Sequence, residues 1–89
     1  MELRHLRYFV AVVEEQSFTK AAEKLFIAQP PLSRQIQNLE TELGALLFER
    51  GSRPLKPTAV GYFFYQQAVK LLASADQMKS ITMREGSIK

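Results

Sequence analysis

The 89-residue sequence has no cysteine and a single histidine, His5. Without thiols there is no disulfide staple, no cysteine nucleophile and no thiolate ligand for zinc, and one imidazole without a second makes no zinc site. The expectation is a domain with no metal and no cofactor. Long apolar runs are missing too: none approaches the roughly 18 residues that cross a bilayer. The start "MELRHLRYF" alternates charge with bulk where a signal peptide has an apolar centre. A soluble, cytoplasmic protein without membrane contact is expected. Glycine is scarce, at four residues. No phosphate-cradling glycine loop, carboxylate pair or activated nucleophile accompanies His5, so no enzyme is predicted.

What is present is an ordinary globular composition, 46% hydrophobic and 24% charged. A chain this short buries only about 60 to 70% of its unfolded surface, so self-association is expected to add stability. The net charge is +3 and the pI about 9.5. Distribution matters more than the total. Between Gln16 and Asn38, Lys20, Lys24 and Arg34 face the lone acid Glu23, and Arg50, Arg53 and Lys56 stand together with no acid among them. The acids Glu14, Glu15, Glu40, Glu42 and Asp76 lie outside these two windows.

Periodicity predicts the elements. Leu3, Leu6, Phe9, Val10 and Val13 mark one face of a first helix ending near Glu15 and Gln16. Ser17 is a candidate N-cap for a short second helix with Phe18, Ala21, Ala22 and Leu25 on its inner face. After the connector "FIAQ" comes a third helix with the stripe Leu32, Ile36, Leu39 and Leu43, stopped by Gly44. Its start, "QPPLSRQIQNLE", has two prolines where a helix loses little by missing N–H groups. Pro30 is expected at the boundary and Pro31 just inside.

"LLFERGSRPLKPT" then breaks the helical period and reads as a two-stranded ribbon with a basic tip, its prolines suiting an edge. Thr58 is expected to cap a last helix from Ala59 to about Met83. Along it Phe64, Ala68, Leu71, Ala75 and Met78 alternate four- and three-residue steps like a coiled-coil seam, the candidate dimer interface. Tyr65, Val69 and Leu72 form a second stripe. Tyr8, Phe9, Phe63, Phe64 and Tyr65 recur at helical spacing, which favours core and dimer packing over a stacking platform for single strands.

The fold class expected is therefore mainly α: a winged helix-turn-helix of three helices and a two-stranded wing over 1–58, then a long dimerisation helix over 59–89 with a frayed tail. In such a fold the start of the third helix meets base edges in the major groove. Its exposed face reads Gln29, Pro30, Ser33, Arg34, Gln37 and Asn38, with no acid before Glu40. Proline carbons suit thymine methyls, and arginine suits guanine O6 and N7. Arginine at the ribbon tip suits the minor groove or phosphates. The competing reading is a helical dimerisation module without specific DNA binding.

The spaced residues of "SFTKAAEKL", "QPPLSRQIQNLETELGALLFER", Arg53, Leu55, Thr58 and Gly61 resemble the LysR-type transcriptional regulators over nearly the whole chain. "MELRHLRYFVAVVEEQSF" and "IAQPPLSRQIQ" look most like the members that govern benzoate and muconate degradation. The resemblance implies a domain that binds double-stranded DNA as a homodimer, on an inverted-repeat operator of the T-N11-A type. Gln29, Pro30, Pro31 and Arg34 would read bases, Arg53 would serve the wing, and Thr19, Ser33, Gln37 and Arg50 would hold phosphates. It also implies a small-molecule effector bound only by a C-terminal domain absent from this sequence, and tetramers in a longer protein. Pro57, Val60 and Ala45 depart from the family pattern, all near the wing and its packing. The tail "MREGSIK" has no counterpart and reads as a chain cut near a domain boundary.

Overall fold

The computed structural model describes residues 1–86 and contains four helices: α1 (Leu3–Glu15), α2 (Phe18–Leu25), α3 (Gln29–Leu43) and α4 (Ala59–Glu85). Of the tail, Ser87, Ile88 and Lys89 lie outside the described residues. No helix among the described residues is long and apolar enough to cross a membrane.

The central element is α1, which packs against each of the other three helices. Gripped from several sides, it buries Ala11 and Val12 as well as the expected Leu6 and Phe9, while Leu3 stays exposed at its free end. It stops at Gln16, whose backbone is left-handed (φ 55°), and Ser17 follows as the N-cap of α2, accepting the Lys20 N–H at 3.1 Å. Ala21 and Ala22 are buried, and their small side chains let α1 and α3 close on α2.

The helix α3 begins two residues earlier than expected. Ala28 is the extended N-cap residue, so Gln29 opens the first turn and both prolines lie inside it. That turn makes no use of its N–H groups, which is why two missing donors are tolerated. Leu32, Ile36 and Leu39 are buried as predicted, but Leu43 is exposed, because the helix ends beside it at left-handed Gly44 (φ 68°).

The expected two-stranded ribbon is not formed among the described residues. Its limbs meet in one antiparallel bridge, Phe48 with Pro57, and in two backbone bonds, Glu49 N–H to Lys56 O at 2.8 Å and Thr58 N–H to Leu47 O at 3.0 Å. Pro54 and Pro57 have no N–H to extend a ladder. A side chain replaces it: the Ser52 hydroxyl donates to Glu49 O at 3.1 Å and accepts from Lys56 N at 3.0 Å. The Leu55 N–H donates to Gln16 O at 3.1 Å, tying this wing loop to the turn between α1 and α2.

Thr58 caps α4 from both sides. Its hydroxyl accepts the Gly61 N–H at 2.9 Å and donates to Leu46 O at 2.7 Å. The helix runs two residues beyond Met83, to Glu85. Its inner face is Gly61, Ala68 and Leu72, flanked by half-buried Phe64 and Tyr65. This corrects the seam read from the sequence. Ala68, only 3% exposed, lies in a cluster with Leu6 and Leu72, and Phe64 packs edge-on to Phe9 at 5.3 Å; both are used within the chain. Ala75 is half-buried, and only Leu71 (50% exposed) and Met78 (67%) of the predicted seam face outward.

Beyond Leu72 the described helix has no buried residue, and its tie to the domain is the ion pair of Arg7 Nη2 with Asp76 Oδ1 at 2.9 Å. An exposed pair of this kind is weakened by solvent and salt, whereas each fully buried large apolar side chain contributes about 1.5 to 3 kcal/mol. Apolar packing around Leu6 and Phe9 therefore seats α4, and the ion pair only trims its angle.

Candidate nucleic-acid interface

Opposite the buried stripe Leu32, Ile36 and Leu39, α3 exposes Pro30, Arg34, Gln37 and Thr41 at three- and four-residue steps, one outward ridge. Pro31 and Asn38 flank it, also exposed. Gln29 is half-buried, and its Nε2 donates to Ser33 Oγ at 2.6 Å, so the two side chains are already ordered against each other. Because residues 30 and 31 lack N–H groups, this helix end offers apolar rings where most helices offer donors.

Two depressions border that ridge. Thr19, Gln29, Ser52 and Arg53 line a cleft between the starts of α2 and α3 and the wing loop. Ser33, Gln37, Glu40 and Arg50 line the neighbouring groove between α3 and the wing. Phe18 and Leu55 border both, so the two adjoin. The structure thus brings Thr19, Gln29 and Arg53 together, and Ser33, Gln37 and Arg50 together, while Pro30, Pro31 and Arg34 stand on the ridge beside them.

Among the described residues Arg4, Arg7, Lys24, Arg50 and Arg84 each have a carboxylate within 4 Å. Lys20, Arg34, Arg53 and Lys56, on α2, α3 and the wing, have none, and neither do Lys70 and Lys79 on α4. The surface formed by the two helix starts and the wing therefore keeps its positive charge, and the starts of α2 and α3 add the positive ends of their dipoles. Such a surface suits a polyanion with a regular backbone. No group of side chains among the described residues is arranged to hold a metal ion.

Sequence reasoning missed Glu40. Read from the sequence only as the first acid on the exposed face, it is 9% exposed, the one charged residue buried among those described. Its Oε2 accepts the N–H of Leu47 at 2.7 Å and of Phe48 at 3.4 Å, and its Oε1 lies 3.8 Å from Arg50 Nη2. One signal pointed there: Glu40 is four residues after Ile36 and adjoins Leu39, within the buried arc. Ser52 was legible as a turn residue but not as the brace across the wing. His5 has a structural use, its Nδ1 accepting the Glu2 N–H at 3.3 Å at the start of α1.

The family model for bacterial regulatory helix-turn-helix proteins of the lysR family matches residues 3–62. The HTH-type transcriptional regulator BenM of Acinetobacter baylyi (strain ATCC 33305 / BD413 / ADP1) is 75% identical over 88 residues, which are 99% of this chain and 29% of BenM. The chain thus spans less than a third of that relative. Among solved structures, the BenM_DBD/benA site 1 DNA complex superposes with a TM-score of 0.96 at 74% identity, covering 100% of both chains. The CbnR_DBD–DNA complex superposes with a TM-score of 0.90 at 38% identity, covering 97% of this chain and 99% of the other. The match over residues 3–62 and the likeness to these structures over nearly the whole chain give the conclusion: the chain belongs to the lysR family of bacterial regulatory helix-turn-helix proteins.

Proposed function

We propose that this chain is the DNA-reading domain of a transcription regulator, binding double-stranded DNA as a homodimer on an inverted-repeat operator. The observation that carries the reading is the likeness, over its full length, to a BenM domain in complex with benA site 1 DNA. The four unpaired cations Lys20, Arg34, Arg53 and Lys56 around the helix starts and the wing support it physically.

In this reading α3 enters the major groove. Arg34 takes the edge of a guanine, Gln29 a neighbouring base, and the rings of Pro30 and Pro31 pack on thymine methyls. Arg53 reaches the minor groove from the wing, and Thr19, Ser33, Gln37 and Arg50 hold phosphates that set the register. No cofactor takes part. The second copy packs on the outward stripe of α4, Val60, Phe63, Leu71, Met78 and Ile81, whose spacings of three, eight, seven and three residues keep them on one exposed face. This stripe replaces Phe64 and Ala68 in the predicted interface and keeps Leu71 and Met78. The regulated genes serve the breakdown of aromatic compounds in the cytoplasm, the effector being a small molecule bound by a further domain.

The exposed stripe equally suits a dimerisation module that does not read sequence. One titration separates the two. The chain is titrated with benA site 1 duplex, a scrambled duplex of equal length, and duplexes whose half-site spacing is changed by about five base pairs, half a helical turn, each at two salt concentrations. Tight binding to the first, lost in the last, is expected. Equal binding to all of them ends the operator reading.

A further inference from the structure

We propose that Glu40 is a positioning residue that sets how well the domain discriminates its operator from other DNA, acting through Arg50. The inference rests on the reading of Arg50 as a phosphate contact.

Two functions meet in one carboxylate. Through Oε2, Glu40 holds the N–H groups of Leu47 and Phe48, the first limb of the wing, against the last turns of α3. Its own carbonyl accepts from Gly44 N at 2.8 Å and Ala45 N at 3.2 Å, so the connection between α3 and the wing is gathered on this single residue. Through Oε1, at 3.8 Å, it faces the guanidinium of Arg50, an exposed side chain on a neighbouring groove wall. Unlike Lys20, Arg34, Arg53 and Lys56, Arg50 therefore approaches DNA with a buried negative charge beside it.

The charge acts differently on the two kinds of DNA. Binding without sequence preference depends mainly on the number of phosphates that the protein's cations neutralise. A cation already balanced by a carboxylate contributes little to that sum, so Glu40 weakens indiscriminate binding. On the operator the duplex is held in register, and Arg50 must point at one phosphate. There the same carboxylate helps, because it fixes the wing and limits the conformations of Arg50 before contact. The two effects offset each other on the operator and do not on other DNA, so Glu40 widens the gap between them.

Glu40→Gln keeps an oxygen for the Leu47 N–H and removes the charge. With the two equal-length duplexes of the titration above, it is expected to raise affinity for the scrambled duplex by about three- to fivefold, the scale of one exposed ion pair. The gain on benA site 1 is smaller. The slope of log K against log[salt] on the scrambled duplex steepens by about one. Both changes vanish in an Arg50→Gln background, which a purely structural role of Glu40 would not produce. An equal effect on both duplexes, or one that persists without Arg50, overturns the proposal.

If Glu40→Gln does not fold, single substitutions of the arginines decide. Arg50→Gln then lowers the salt slope on the scrambled duplex by less than Arg53→Gln does, and equal reductions overturn the proposal. Should the unsubstituted chain bind both duplexes alike, the operator reading and this inference fall together. Should it discriminate while the cycle shows no coupling, only the inference falls.

Discussion

Gly61 lies so close to Leu47 that a Cβ on it would collide with the Leu47 carbonyl oxygen. The first turn of α4 is thereby pressed onto the base of the wing, and the cap formed by Thr58 locks the contact. Alanine at position 61 gains about 1 kcal/mol of helix propensity. It also forces backbone apart, which costs about 1 to 3 kcal/mol or more. Since the clash is with backbone, the upper part of that range applies, and a net loss of about 1 to 2 kcal/mol is expected to lower the thermal midpoint of Gly61→Ala by roughly 4 to 16 °C in a domain of this size. An unchanged melt would mean that α4 is not seated on Leu47.

Arg34 stands on the outward ridge of α3 with no carboxylate within 4 Å among the described residues. Arg34→Ala is expected to cost about 1 to 3 kcal/mol on benA site 1 duplex and to relax the preference at one base pair. Binding isotherms on singly substituted duplexes read this directly. An equal loss on every sequence would reassign Arg34 to phosphate.

Phe26 closes α2 in a left-handed conformation (φ 59°) with 94% of its surface exposed. A bulky side chain gains no packing there and strains its backbone, whereas asparagine adopts this region readily. Phe26→Asn is expected to stabilise the fold by about 1 kcal/mol, seen as a rise of a few degrees in a thermal melt. A destabilised variant would show that the ring is buried in solution after all.

Leu71 and Met78 point away from the domain, and Ala68 points into it. Leu71→Glu and Met78→Glu are each expected to weaken self-association in sedimentation experiments while leaving helix content unchanged. Ala68→Leu, overfilling the contact with Leu6, is expected to cost about 1 to 3 kcal/mol of stability in the chain itself. The reverse pattern would restore Ala68 to the intersubunit seam.

The hydrogen bond from Arg7, reinforced by its charge, holds the Asp76 carboxyl below its ordinary range. A carboxyl lowered in the folded state contributes stability that is complete above the unfolded value, about 3.9, and is lost as pH falls through the lower folded value. A carboxyl-shift titration is expected to place the Asp76 midpoint below that of a free aspartate, and Arg7→Ala to return it. Identical midpoints in the two proteins would mean that the pair does not form in solution.

The helices were legible because their signals are local. Ser17, Gly44 and Thr58 act at the ends they mark, and Leu32, Ile36 and Leu39 share a period that only a helix satisfies. The wing was legible as a break but not as a shape, since whether two limbs pair depends on N–H groups that Pro54 and Pro57 lack and on a brace supplied by Ser52. The stripes of α4 were visible but assigned to the wrong neighbours in part. Periodicity reports that a face is apolar, not what covers it, and only the position of Leu6 on α1 decides that Ala68 faces inward. Glu40 stayed hidden because a carboxylate beside a buried stripe looks like its solvent-facing edge until the N–H groups of Leu47 and Phe48 are seen to converge on it.

The stretch of α4 from Ala73 to Glu85, which projects past Leu72, is about 20 Å long at 1.5 Å per residue. Turning such an arm by ten degrees at its root moves its tip by roughly 3 to 4 Å, about the rise of one base-pair step. The fit of Leu6 between Ala68 and Leu72 thus works as a fulcrum. A change of about 1 Å across the roughly 6 Å from Ala68 to Leu72 becomes a whole-step displacement of anything carried at the far end.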